Sequence, residues 1–321
     1  MTTLNLSPFH DASFPRLLLV IALFLAASLL PFAGLVFLLV IPLVLYVLCF
    51  LSDPAKTLKA FLASLCAVAA LLWTMNAAAS VAAPAAMGIA GMLMAWSAEK
   101  RFRVEAVVLL PALVVLGAIA FYFIFGALQQ SLTPWELVLK NIRESVELNI
   151  EFYSRLPLNP EELQAIVDSK PQMISLFARI FPALCVMAAV FTIWVNLIAA
   201  GRLLKSRGIV LPQLSNLSQW SAPGWLVWVF IAAGGLGAVP VTPIRVVGVN
   251  ILLVASLLYF LQGLAIVSFF FQHKNISPFF RFLAYFLIAI QQILMIAIAA
   301  VGFFNLWVDF RKYLRKDRST D

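Results

Sequence analysis

The chain has 321 residues, 64% of them apolar and 11% charged, with a mean hydropathy of +1.02 and a formal net charge of +8. A soluble domain carries about 25% charged residues, so this composition excludes one. It also excludes an outer-membrane barrel, whose strands alternate polar and apolar over roughly ten residues. What remains is an all-α, polytopic transmembrane helical bundle forming a single integral membrane domain over 1–321. The basic residues stand in short runs between apolar segments, the positive-inside pattern, and this argues against a nucleic-acid partner and for the lipid bilayer.

In chain order, Met1–Pro15 is polar and Arg16 flanks the first apolar run. Ala26-Ala27-Ser28 has the look of a signal-peptide cleavage site, but apolar character continues to Leu51, which favours an uncleaved helix. That run is too long for one span of about 20 residues. Pro31 and Gly34 mark a reversal, predicting helices over 17–32 and 34–51. Ser52-Asp53-Pro54 ends the second, and Lys56 and Lys59 flank a third over 58–75. Asn76–Ala86 leads into a fourth ending at Trp96, with Gly88 and Gly91 spaced for close helix contact. The charged loop Glu99–Glu105 precedes a fifth span over 104–127, completing five N-terminal membrane helices within 17–127.

Residues 128–171 hold seven of the fourteen acidic residues and predict an extramembrane helical insertion. Thr133-Pro134-Trp135-Glu136 reads as a capping box with proline at the first helical position. Trp135, Val138, Leu139, Ile142, Val146, Ile150 and Tyr153 follow helical spacing, one apolar stripe on a charged helix. The stripe suits packing on the membrane domain or, alternatively, an interfacial helix or lid. Pro157 breaks the helix, Asn159-Pro160-Glu161-Glu162 caps a second, and Ser169-Lys170-Pro171-Gln172 opens the next span.

The C-terminal membrane helices occupy 172–310. A sixth span over 173–201 ends at Arg202, Lys205 and Arg207; a seventh, over 224–240, is short and weakened by Gly234, Gly235, Gly237 and Pro240. An eighth covers 244–272 and a ninth 279–308, before a basic tail over 311–321 with Arg311, Lys312, Arg315, Lys316 and Arg318. With the N-terminus cytoplasmic, every internal basic cluster falls inside and the acidic insertion outside. Nine full spans would put the tail outside, against the same rule. The expectation is therefore 8–9 membrane segments, with 224–240 the re-entrant or broken element and both termini cytoplasmic.

Polar residues inside membrane segments are the candidate sites. Counting about 100° per residue from Gln291, the positions of Gln291, Gly302, Asn305 and Asp309 fall near 0°, 20°, 320° and 0°, one narrow face of a continuous helix. Asp309 has Arg311, Lys312 or Tyr313 as nearby partners at the membrane edge. Asn250 and Gln262 lie about 120° apart on the eighth span and do not share a face, so each suits a separate helix–helix hydrogen bond. Arg245, after Pro243, is placed to snorkel at the outer end or to contact an anion. Cys49, Cys66 and Cys185 lack C-x-x-C spacing and read as small buried thiols. His10 and His273 are isolated, so no metal or cofactor site is expected. There is no Walker, zincin or nucleophile-elbow motif and no convergent acid–base pair, so the chain is read as not an enzyme.

Pro31, Gly34 and Pro42 in the first helix pair, Gln262-Gly263-Leu264-Ala265, and Gly302 through Asp309-Phe310-Arg311-Lys312 resemble the bacterial YybS-like membrane proteins, a domain-of-unknown-function family. Asn305 stands where that pattern leads one to expect an acidic residue, which argues against a coupling carboxylate there. The first six spans are also similar to the substrate-binding subunits of energy-coupling-factor vitamin transporters and to the cell-shape protein MreD. In the former, small residues matching Ala22 and Ala26 dock on a coupling partner. These resemblances imply a bacterial cytoplasmic (inner) membrane protein. They imply either a solute-binding subunit with coupling and ATPase partners or a membrane scaffold or assembly protein.

Overall fold

The computed structural model describes residues 13–30, 33–75, 78–155, 159–211 and 217–312. All regular structure among the described residues is helical. The chain divides into two compact units, residues 1–131 with 188–215, and residues 132–187 with 216–321.

The first unit holds α1 (Ser13–Leu29), α2 (Ala33–Leu51), α3 (Pro54–Thr74), a 3-10 turn at Ala78–Val81, α4 (Ala82–Glu99) and α5 (Val104–Gln129). The reversal after α1 is tight: the Gly34 N–H donates to Leu30 O, and a Cβ on Gly34 would lie 2.8 Å from Ala27 O. Pro31 lies outside the described residues. Helix α3 starts four residues before the predicted position because Asp53 caps it, its carboxylate accepting from the Ala55 N–H at 2.9 Å with Pro54 next in line. Lys56 thereby falls inside the helix rather than ahead of it. The core is apolar, with Phe24, Ile41, Leu45, Leu72 and Met94 sealed from the surface. Gly91 lets α4 meet α2: a Cβ there would stand 2.6 Å from Pro42 O, so any larger residue would force the helices apart.

The second unit begins with the insertion. Helix α6 (Pro134–Ser154) has the predicted capping box: the Glu136 N–H donates to Thr133 Oγ1, and the Thr133 N–H donates back to Glu136 Oε2 at 2.7 Å. Its buried residues are Leu137, Val138, Ile142 and Val146. The apolar stripe is thus covered in its middle, from Val138 to Val146, while Trp135 and Tyr153 at its ends are exposed. Helix α7 (Pro160–Asp168) follows, started by Pro160, although Asn159 makes no side-chain cap. Pro157 lies outside the described residues. Helix α8 (Lys170–Ser206) then runs for 37 residues, about 55 Å at 1.5 Å per residue, and its two halves belong to different units.

The remaining elements are a 3-10 turn at Leu217–Gln219, α9 (Leu226–Ala238), α10 (Thr242–His273), α11 (Pro278–Ile290) and α12 (Gln292–Phe304). Helix α10 packs on α9 and on α12. It ends where Asn275 takes a left-handed conformation (φ 50°), which lets the Ile276 N–H reach Phe271 O, while Arg281 donates from Nη2 to the same carbonyl.

The ninth segment departs from the single span predicted for it. It breaks at Gln291, in extended conformation, and α11 and α12 are bent by 104°. No proline or glycine sits at the break, and the sequence there carries no local reason for it. The face of α11 turned inward is Arg281, Ala284, Tyr285 and Ile288, with Tyr285 edge-on to Phe271 of α10. Arg281 and Tyr285 thus tie α11 to the end of α10.

Five helices are long and apolar enough to cross a membrane: α2, α3, α5, α8 and α10. The bent α11–α12 pair would make six if counted as one span, while α1 and α9 are apolar but shorter.

Candidate functional site

Two of the candidate residues on α10, Gln262 and Asn250, reach out of the helix to backbone. Gln262 is 2% exposed. Its Oε1 accepts from the Ala222 N–H at 2.7 Å and its Nε2 donates to Gly302 O at 2.9 Å. One carboxamide thus ties α10 to α12 and to the non-helical approach to α9, at a point where both leave backbone groups open. The adjoining surface is built for close contact. A Cβ on Gly263 would collide with Ile298 O, and one on Gly302 with Tyr259 O. Only glycine lets these backbones approach so closely. Ala222, Leu226, Ala255 and Tyr259 complete a buried cluster, against which Phe230 and Phe303 pack.

Asn250, twelve residues before Gln262, takes separate partners, as their angular separation predicts. Its Oδ1 accepts from the Ala183 N–H at 2.8 Å, and its Nδ2 donates to Arg179 O at 2.7 Å and to Val246 O in its own helix. Residues 179 and 183 are the two ends of one rung of the α8 ladder. Pro182, inside that helix, lacks an N–H and crowds the preceding turn, so the ladder is open there. The asparagine carboxamide fills the opening.

The same arrangement recurs in the first unit at Asn196, which is not among the candidate residues of the sequence. Asn196, 6% exposed, accepts from the Leu43 N–H at 2.9 Å and donates to Leu39 O at 2.9 Å and to Thr192 O in its own helix. Leu39 and Leu43 again flank a helix-interior proline, Pro42. In both cases the carboxamide satisfies one donor and one acceptor that a proline has unpaired inside an apolar helix. A lone asparagine in an apolar run was a visible signal for Asn196. The proline it serves is 154 positions away and was not.

The C-terminal candidates do not form the expected stripe. The break at Gln291 ends the continuous helix on which that angular count depended, and leaves Gln291 exposed. Gly302 is buried against Tyr259, Asn305 is the C-cap of α12, and Asp309 lies beyond the helix. Asn305 Oδ1 is buried and has no hydrogen-bond partner among the described residues. Asp309 accepts the Lys312 N–H at 3.2 Å and so starts a short helical turn. Arg311, which the sequence reading left as a possible Asp309 partner, is 8% exposed and donates to Gln219 O at 3.1 Å and Trp220 O at 2.7 Å. Tyr313 and the rest of the tail lie outside the described residues.

Arg245 is exposed, with no partner for its guanidinium among the described residues. Cys49 and Cys185 are half-buried, but Cys66 is exposed, against the expectation of a buried thiol. No group of three metal-ligating side chains gathers among the described residues.

The geometry is thus that of hydrogen-bonded helix junctions and close glycine crossings. A family model for "Predicted membrane protein (DUF2232)" matches residues 18–306. The chain belongs to the DUF2232 family. The match takes in Asn196, Asn250, Gln262, Gly263 and Gly302, and ends before the Asp309–Lys312 tetrapeptide that the YybS-like resemblance includes. No curated relative and no solved structure matches the chain. A multi-pass DUF2232 membrane protein is what the fold and this family match together establish.

Proposed function

We propose that this DUF2232 protein is a non-enzymatic scaffold or assembly protein of the MreD type in a bacterial cytoplasmic membrane. Its N-terminus would be cytoplasmic and its 132–168 helices would present a surface to other membrane-associated proteins. The observation that carries this reading is the engagement of Gln262, Asn250 and Asn196. Each commits both ends of its carboxamide to neighbouring backbone, so these intramembrane amides serve as helix junctions rather than as groups turned toward a solute. The exposed face of α6, with Lys140, Arg143, Glu144, Glu147 and Glu151, is mixed in charge, a poor match for anionic lipid and a reasonable one for protein. The test is gentle purification followed by mass spectrometry of small molecules and proteins together. A partner lost on reversing Glu144 and Glu151 to lysine is the expected result. A small molecule bound at one per chain, and lost in Gln262→Leu, would overturn it.

The second reading is a solute-binding subunit similar to those of energy-coupling-factor transporters. Its support is that the first unit gathers α1 to α5 with the latter part of α8, six helices, and leaves Ala22 exposed on α1. Co-purification with coupling and ATPase subunits, abolished by Ala22→Leu, would establish it over the first.

A further inference from the structure

We infer that the C-terminal segment is re-entrant: the chain enters the membrane with α12, turns within it, and returns to the side from which α11 started. Three sets of contacts within the second unit carry this.

The first is register. Gly302 meets Tyr259 and Gly263 meets Ile298, so α12 runs antiparallel to α10. Carrying that register to the helix ends sets Gln292 beside Phe269 and Phe304 beside Leu257. Helix α12 therefore starts near the His273 end of α10. With 13 residues it covers about 20 Å of a hydrocarbon layer about 30 Å thick. It stops about 18 Å short of Arg245, which marks the opposite edge. Helix α11, bent from α12 by 104°, does not extend it, because both of its ends lie near the His273 end.

The second is the position of Arg311. Ser218 Oγ sits 3.4 Å from Gln272 Oε1, and the Ala222 N–H donates to Gln262, so residues 218–222 lie beside the inner part of α10, between Gln262 and Gln272. Arg311 donates to Gln219 O and Trp220 O in that stretch. Had the helix run on from Phe304, Arg311 would lie about 10 Å further toward Arg245 and away from those carbonyls. The chain has turned instead, and Asp309 begins the returning turn by capping the Lys312 N–H.

The third is satisfaction of the turn itself. The N–H groups of Leu306, Trp307 and Val308 donate to Phe303 O and Phe304 O. The Gln219 and Trp220 carbonyls, at and just past the end of the 3-10 turn, receive a buried guanidinium. Irregular backbone at membrane depth is tolerated only when other protein groups complete it in this way.

This reassigns the segment that fails to cross. Segment 224–240, the expected candidate, instead runs antiparallel along α10: Leu226 packs with Tyr259, and Gly248 meets Leu236 and Gly237. It has the form of a crossing element broken at Trp220–Gly224. Eight crossings and one re-entrant segment then place the basic tail with the other basic loops.

The test uses a chain lacking Cys49, Cys66 and Cys185, with single cysteines introduced as Val241→Cys or Ser277→Cys. Labelling is with a membrane-impermeant maleimide on intact cells. The otherwise unaltered chain carries a C-terminal reporter, which serves if a cysteine variant fails to fold. The expected result is labelling at 241, protection at 277 until the membrane is opened, and a cytoplasmic reporter. A reporter on the side opposite 277 would mean that α12 crosses, and would overturn the inference. So would protection at 241 with labelling at 277, which would make 224–240 the re-entrant element.

Discussion

Asn196 and Asn250 do the same work at two prolines, but their surroundings differ, and this sets an order for their variants. Replacing either with leucine leaves a donor and an acceptor unpaired in an apolar helix, a loss of about 1–3 kcal/mol. Asn196 is the more deeply buried, so Asn196→Leu is expected to lower the thermal midpoint of the detergent-solubilised protein more than Asn250→Leu. Restoring the missing rung supplies the check. Pro42→Ala in the Asn196→Leu background returns an N–H at residue 42 and relieves the crowding of the turn before it. It should recover part of the loss, and no recovery would mean that the asparagine acts by some other route. Gly302→Ala belongs to the same scale but fails through volume, since the added Cβ collides with Tyr259 O. A cost of about 1–3 kcal/mol in unfolding is expected, against near-neutrality for Gly234→Ala, whose Cβ would meet nothing within 4 Å.

Among the elements, α6 is held by two carboxylates, Glu136 in its first turn and Glu147 in its second half. The Thr133 backbone N–H, then its hydroxyl, keep the Glu136 carboxyl below the usual glutamate value. A hydrogen bond from Lys170, 2.6 Å away, and its charge do the same for Glu147. Both groups are more acidic folded than unfolded. Their contribution is therefore complete above the unfolded pKa near 4.5 and lost as pH falls through the lower folded values. Amide protection in α6, corrected for intrinsic exchange, should be level from neutral pH to about 5 and decline below about 4. A decline centred near pH 6 would point to another group. Helix ends were legible where a local cap was read, as at Thr133 and Glu136, which act within four residues of themselves; Asp53 read as the end of α2, and its cap of α3 came from the structure. The break at Gln291 was not legible, because Ile290-Gln291-Gln292 contains no breaker, and α11 is tied to α10 through Arg281 and Tyr285, away from the break. The alignment of Gln291 with Asn305 and Asp309 depended on a helix that tertiary packing interrupts. Gln262 was readable as a helix–helix hydrogen bond, though its partners, the donating Ala222 N–H and the accepting Gly302 O, were 40 positions away in each direction.

For the whole molecule, the distribution of charge makes a claim separate from any single contact. The acidic insertion and the basic loop at Lys100–Arg103 stand at opposite ends of α5, which at 26 residues spans about 39 Å, enough to cross. They should therefore face opposite sides of the membrane, with the basic loop cytoplasmic. The local structure agrees with exposure at both ends: among the described residues Glu151 is in ion contact only with Arg155 one turn away, and Arg101 takes a left-handed conformation at the end of a helix. In the chain lacking its native cysteines, Glu151→Cys should label with an impermeant maleimide on intact cells, and Lys100→Cys only after the membrane is opened. Labelling of both on intact cells would mean that α5 does not cross, and the inverted pattern would reverse the orientation. Either outcome would bear on function as well. An insertion facing the cytoplasm would meet cytoplasmic proteins, whereas the orientation argued from charge restricts a partner of α6 to the outer face or to a membrane protein with a domain there.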